Sequence, residues 1–282
     1  MNIRYSLLPY TYTLFHKAHE AGETVLRALA WEFPNDAQLA GVETQFMSGP
    51  ALLITPVLAP LATSVQGVFP GVAEGTRWYD WYTLEQVDAA AGENKTLEAP
   101  LLHQPIHIRG GYIVPIQKAG NTTKTSRLNP WSLIIALDKD GKAEGGLYLD
   151  DGINIVQGAT KEVHVSSPCA SAYESEGFGD LELTHSWQLT FANNTLHATV
   201  SGDFNDDLPL ANITIAGATK KPSSVSVNGG RADDHKGGHK GGHSSGNATE
   251  SVRFEKNVLY LTDLESATQG GVWKKDLEVR LW

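Results

Sequence analysis

The stretch Arg77-Trp-Tyr-Asp-Trp-Tyr-Thr83 gathers two tryptophans and two tyrosines around one aspartate. Aromatic faces beside a carboxylate can stack a sugar ring and hydrogen-bond its hydroxyls. They can also fill both sides of a half-buried strand, and this packing role is the commoner use of such residues. Strand alternation puts Trp78, Asp80 and Tyr82 on one face, and Arg77, Tyr79, Trp81 and Thr83 on the other.

Three further groups could carry chemistry. Asp150 and Asp151, followed by Gly152, offer neighbouring carboxyls. A retaining glycosidase needs two carboxyls about 5–5.5 Å apart flanking one bond. Neighbours on an extended chain point to opposite faces, so this pair reads as a turn. His235, His239 and His243 recur at a spacing that would stack metal ligands on a helix, but the glycine pairs between them forbid one. Weak adventitious metal binding is the most they support. Cys169 has no nucleophile motif around it and reads as half of a disulfide or a buried thiol. No phosphate loop, dinucleotide fingerprint or Gly-X-Ser-X-Gly elbow occurs, so no cofactor is expected.

The net charge of −10 over 282 residues argues against nucleic acid or an anionic membrane as partner. No run approaches the roughly 20 apolar residues of a membrane span. Asn-X-Ser/Thr acceptors at Asn94, Asn121, Asn193, Asn212 and Asn247 lie in turn-like, polar surroundings and lean towards the secretory route. The first twenty residues do not form a signal peptide, because Pro9, Thr11 and Thr13 interrupt the apolar stretch. A segment upstream of Met1 is the expected reconciliation.

Elements must position these groups. Ile3, Leu7, Tyr10, Leu14 and Ala18 recur at helical steps, predicting a helix over 3–20 with a kink or start near Pro9 and a cap at Gly22. Thr24 to Phe33 reads as a short strand buried on both faces, and 34–46 as a loop with a short helix. From Pro50 the pattern is β: runs at 51–58, 64–69, 77–83 and 104–117 are separated by Gly- and Pro-bearing turns. Beyond Asn121 a second β region begins. Trp187 to Val200 is its clearest hairpin, turning at Asn193-Asn194. Residues 229–250 are too rich in glycine and polar groups to pack and read as a disordered loop.

The blocks "IRYSLLPYTYTLFHKAHEAGETVLRALAWEFPND", "QFMSGPALLITPVL", "VFPGVAEGTRWYDWYT", "PIHIRGGYIVPIQ" and "GGLYLDDG" stand in an order that resembles the C-terminal part of family 31 glycoside hydrolases. Secreted fungal α-glucosidases (maltases) are the nearest in appearance. The match is specific through Gly152 and becomes architectural beyond it. The resemblance implies a mainly β chain: the final strand and helices of a (β/α)8 barrel over 1–50, a proximal C-terminal β domain over 51–117, and a distal β-sandwich domain over 118–282. It implies retaining hydrolysis of terminal α-glucosidic bonds of maltose and malto-oligosaccharides by two aspartates. Those aspartates belong to earlier barrel strands whose motifs are absent, so no catalytic residue is assigned. The chain alone is expected to be inactive and to associate with a separate N-terminal catalytic chain. It is expected to be secreted or associated with the cell wall. Asp36, in the loop after strand eight, is the one residue placed at the active-site rim. The alternative is a non-catalytic carbohydrate-binding or structural β protein.

Overall fold

Pro9 sets where the first long helix begins. Helix Asn2–Ser6 ends at Leu7, and a second helix, Leu8–Ala21, starts with Pro9 in its first turn, where a missing N–H costs nothing. Gly22 closes that helix in the left-handed conformation (φ 70°). A computed structural model describes residues 1–153, 161–165, 189–202, 204–228, 230–231 and 251–282. The chain is mainly β, as the sequence predicts.

The smaller sheet runs in the order Leu26–Arg27, Phe46–Ser48, Leu52–Ile54, Ile106–Arg109, Trp78–Asp80, every neighbouring pair antiparallel. The strand expected over Thr24–Phe33 is a correction. Only Leu26 and Arg27 pair, and Leu29–Glu32 coils into a helix. Short apolar runs do not distinguish a buried strand from a helix by periodicity, and Leu-Ala-Trp-Glu favours the helix. Nor is the segment buried on both faces, since Leu26 is 64% and Trp31 69% exposed. Ser64–Gly67 and Lys95–Glu98 form a separate two-stranded ribbon.

The larger sheet has 12 strands and curls so that its two halves share one core, in which Leu133, Leu147, Leu196, Ile213, Leu259 and Trp273 are buried. The chain changes sheets at Gly110-Gly111. Ile106–Arg109 pairs in the smaller sheet, whereas Tyr112–Gln117 lies antiparallel to Trp131–Ala136 in the larger. The predicted hairpin forms between Leu189–Ala192 and Thr195–Gly202, with both turn asparagines at positive φ. Of the loop expected over 229–250, only Gly230–Arg231 lies within the described residues; it pairs with Val225–Val227.

Gly145 shows why the "GGLYLDDG" block opens on glycine. Tyr112 and Glu144 pair in parallel, which brings Gly145 against the Ile113 carbonyl, and any Cβ there would strike backbone oxygen.

Helix Leu8–Ala21 is docked on strand Ala143–Leu149. Thr13 Oγ1 accepts the Tyr148 amide at 3.0 Å and donates to the Pro9 carbonyl at 2.8 Å. Tyr12 donates to Asp150 Oδ2 at 2.7 Å, and His16 stacks on Tyr148 at 3.7 Å. Burial first, and the bond to Asp150 second, push the Tyr12 phenol up to about 12, so it stays a donor across the physiological range.

Candidate functional site

The aromatic stretch is the strut between the two sheets. Trp78 and Tyr79 are 1% and 0% exposed, on opposite faces of strand Trp78–Asp80. Trp78 packs with Leu29, Met47 and Phe69, and its indole N–H donates to the Pro70 carbonyl at 2.9 Å. Tyr79 faces the other way, towards Leu7, Tyr10 and Leu14, and its hydroxyl donates to the Leu137 carbonyl of the larger sheet at 2.6 Å. Arg77 Nη1 donates to the neighbouring Asp138 carbonyl at 3.1 Å. Gly217 closes the joint in a left-handed conformation (φ 83°), its face against the Tyr79 hydroxyl, where a side chain could not fit. Tyr79→Phe should therefore lower the stability of the chain by about 1–2 kcal/mol, because the buried Leu137 carbonyl loses its side-chain donor. Urea unfolding checks this, and an unchanged midpoint would mean water replaces the phenol.

Asp80 is spent on a turn. One oxygen, Oδ1, accepts the Tyr82 amide, the Thr83 amide and the Thr83 hydroxyl at 2.8–3.0 Å. Tyr82 is left at the surface, stacked on His103 at 4.0 Å. Asp150 and Asp151 each accept a backbone amide two residues on, Gly152 at 2.7 Å and Ile153 at 2.9 Å, as the turn reading requires. Arg127 also bonds the Asp150 carbonyl.

Asp36 caps the 3-10 helix Ala37–Gly41, accepting the Gln38 amide at 3.1 Å. Asn94, Asn121 and Asn193 are exposed. Asn212 departs from the turn-like setting read from sequence. It is half-buried on strand Leu210–Ala216, and its amide donates to Ser132 Oγ at 3.3 Å. Cys169, His235, His239, His243 and Asn247 lie outside the described residues. Among the described residues, no group of three or more His, Cys, Asp or Glu is placed to hold a metal ion, and no helix is long and apolar enough to cross a membrane.

A feature not legible beforehand is a charge trio beneath the first helix. Glu32 bridges two arginines, Oε2 to Arg27 Nη1 and Oε1 to Arg109 Nη1, both at 2.8 Å. Arg27 also reaches Glu23 at 2.9 Å, and Arg109 lies over the Phe33 ring at 4.4 Å. Burial opposes the charge on Arg27, but the bonds to Glu32 and Glu23 outweigh it and raise its pKa. Arg27 and Glu32 border a groove of about 640 Å³ between Leu8–Ala21, Leu26–Glu32 and the strands at Tyr112 and Gly145, with Trp31 in its wall. The only local signal is an arginine followed by a glutamate five residues on in an apolar run, and it does not point to Arg109.

The geometry defines a class: two β sheets coupled through Tyr79, with a segment of helix and short strand packed against them. Residues 22–114 match the family model described as the glycosyl hydrolase family 31 C-terminal domain. The chain is 43% identical over 98% of its length to an α-glucosidase of Aspergillus oryzae, of which the match spans 24%. It is 41% identical over 99% of its length to glucoamylase 1 of Schwanniomyces occidentalis, of which the match spans 25%. Among solved structures, glucosidase II α subunit superposes with a TM-score of 0.70 at 22% identity, over 99% of this chain and 28% of that one. A Flavobacterium johnsoniae family 31 dextranase superposes with a TM-score of 0.65 at 19% identity, over 99% of this chain and 32% of that one. The chain belongs to glycoside hydrolase family 31 and corresponds to the C-terminal part of its members. It spans about a quarter of the length of the curated relatives it matches.

Proposed function

We propose that this chain is the C-terminal portion of an α-glucosidase acting on terminal α-glucosidic bonds of maltose and malto-oligosaccharides. In this reading it braces the catalytic barrel and supplies neither of the two aspartates that retaining chemistry needs. Residues 1–50 are the barrel's last portion, 51–117 the proximal β domain, with Tyr112–Gln117 as its link to the larger sheet, and 118–282 the distal domain. Asp36 then sits at the rim of the active-site face.

The observation that carries the reading is the unpartnered flank of strand Leu26–Arg27. Among the described residues its one neighbour is Phe46–Ser48, and Leu26 and Trp31 stand exposed. An edge of that kind, next to apolar side chains, is suited to further strands. The 43% identity to an α-glucosidase supplies the chemistry those strands would bring. Exposed Asn94, Asn121 and Asn193 support passage through the secretory route and N-glycosylation.

A chimaera tests this. Replacing the C-terminal quarter of the Aspergillus oryzae enzyme with this chain should give a secreted protein that hydrolyses maltose, while the 282-residue chain alone should not. A folded but inactive chimaera would count against the reading. So would turnover by the chain alone that disappears on mutating Asp80 or Asp151.

A further inference from the structure

A second pocket, of about 290 Å³, opens on the larger sheet beside its joint with the smaller one, next to Arg77 and Gly217. Four segments meet there: the turn at Asp138–Gly141, the hairpin turn at Asn193-Asn194, the chain leaving strand Leu210–Ala216, and the last strand, Leu277–Leu281. Its floor is the core itself, formed by Leu137, Phe191, Ile215, Leu259 and Leu281, all buried. Its rim is polar, with Arg77, Lys139, Asp140, Asn194, Thr219 and Lys220. Trp282 closes one side and is 54% exposed.

The rim is held in place by backbone. Leu281 donates its amide to the Asn194 carbonyl at 2.8 Å, and Trp282 to the Ser224 carbonyl at 3.0 Å. The Ser223 hydroxyl donates to the Trp282 carbonyl at 2.9 Å. On the opposite side, Asp138 Oδ1 accepts the Asp140 and Lys142 amides at 2.9 and 2.8 Å, fixing the turn that carries Lys139 and Asp140. The walls are therefore preformed, as small-molecule sites usually are.

We propose that this pocket binds one neutral pyranose ring of an α-glucan, apart from the site of hydrolysis. The choice of ligand rests on the α-glucan reading above together with three features of the pocket. Its volume lies near the lower end of the roughly 300–1,000 Å³ of small-molecule sites and suits a single ring rather than an extended chain. An apolar floor with an indole at the mouth suits the C–H faces of a sugar, and a rim of carboxylate, amide and hydroxyl groups suits its hydroxyls. Of the cations in the lining, Lys139 is paired with Asp140 at 2.8 Å and Arg77 is held on the Asp138 carbonyl at 3.1 Å, so two of them are already engaged by the protein.

Calorimetric titration of the whole chain with maltose and with methyl α-glucoside tests the proposal, with proton–nitrogen spectra of the indole groups recorded alongside. Saturable binding should shift the Trp282 indole signal. Trp282→Ala and Asp140→Ala should each weaken binding at least about fivefold, as loss of an aromatic anchor or of a polar contact does. Tyr82→Ala, which removes an exposed aromatic elsewhere, should leave binding unchanged. Circular dichroism establishes that each variant is folded. Should Trp282→Ala fail to fold, Asp140→Ala decides, because Asp140 lies on an exposed turn.

No binding, or binding indifferent to both pocket variants, overturns the proposal. Equal loss in Tyr82→Ala, or tighter binding of glucose 6-phosphate than of glucose, also overturns it. An active chimaera whose isolated C-terminal chain binds no sugar would sink the pocket and leave the bracing role standing. Sugar binding beside an inactive chimaera would do the reverse.

Discussion

Glu32→Ala should destabilise the chain by about 3–5 kcal/mol, the range measured when one partner of a buried ion pair is removed. Arg27, Glu32 and Arg109 have side chains 11%, 13% and 20% exposed, too little solvent to stabilise two guanidinium groups left without their shared carboxylate. Arg109 would keep its contact with the Phe33 ring, and Arg27 its bond to Glu23, so the loss is partial. Urea midpoints for Glu32→Ala, and for a triple variant with Arg27→Met, Glu32→Leu and Arg109→Met, separate the two contributions. The triple variant should recover most of the loss, since no uncompensated charge remains. If Glu32→Ala unfolds within about 1 kcal/mol of the parent, the trio behaves as a surface network and the argument fails.

The second large effect is acid sensitivity centred on His107. This side chain is buried on strand Ile106–Arg109, with the Phe69 ring edge-on at 4.8 Å and, among the described residues, no hydrogen-bond partner for Nδ1. Burial lowers its pKa from 6.5 to about 4; the nearby Asp80 carboxylate opposes the shift and His103 adds to it. Below pH 6.5 the unfolded chain takes up a proton that the folded chain refuses until about pH 4. Stability is therefore whole above pH 6.5 and declines as the pH falls towards 4. At about 1.4 kcal/mol per pH unit, the window is worth about 3 kcal/mol. Unfolding midpoints measured between pH 7 and pH 4 should fall, and the His107→Gln variant should lose most of that slope. Equal slopes in parent and variant would show that His107 is charged or solvated in the fold.

The aromatic stretch marks how far sequence alone could reach. Alternation placed Trp78 and Tyr79 on opposite faces of a strand, and the two side chains do enter separate cores. Alternation did not reveal that Tyr79 ends on the Leu137 carbonyl, 58 residues away, because pairing between sheets leaves no local pattern. The first helix, the Gly22 cap and the Asn193-Asn194 turn were legible for the opposite reason, since each follows from backbone preferences of a few neighbouring residues. Thr24 to Phe33 reads as a strand from sequence because a short, mostly apolar run satisfies either periodicity, and the pairing of Arg27 with Glu32 is not visible in it. The trio needs Arg109, brought in from the far side of the smaller sheet. Asp150 and Asp151 were legible as turn formers because extended neighbours diverge, whereas Asp80, read as a strand residue beside Trp78, turns out to hold the turn at Tyr82 and Thr83.

The docking of Thr13 onto the Tyr148 amide spans 135 residues, and it sets an order of events during synthesis. Helix Leu8–Ala21 leaves the ribosome long before the strand it rests on exists, and at about 5–20 residues per second the wait is several seconds or more. Through that interval the apolar stripe of Leu7, Tyr10 and Leu14 has only the earlier part of its native seat, around Leu52, Tyr79 and Ile108, so a nascent chain stalled before Leu149 should be a better client of chaperones than the finished one.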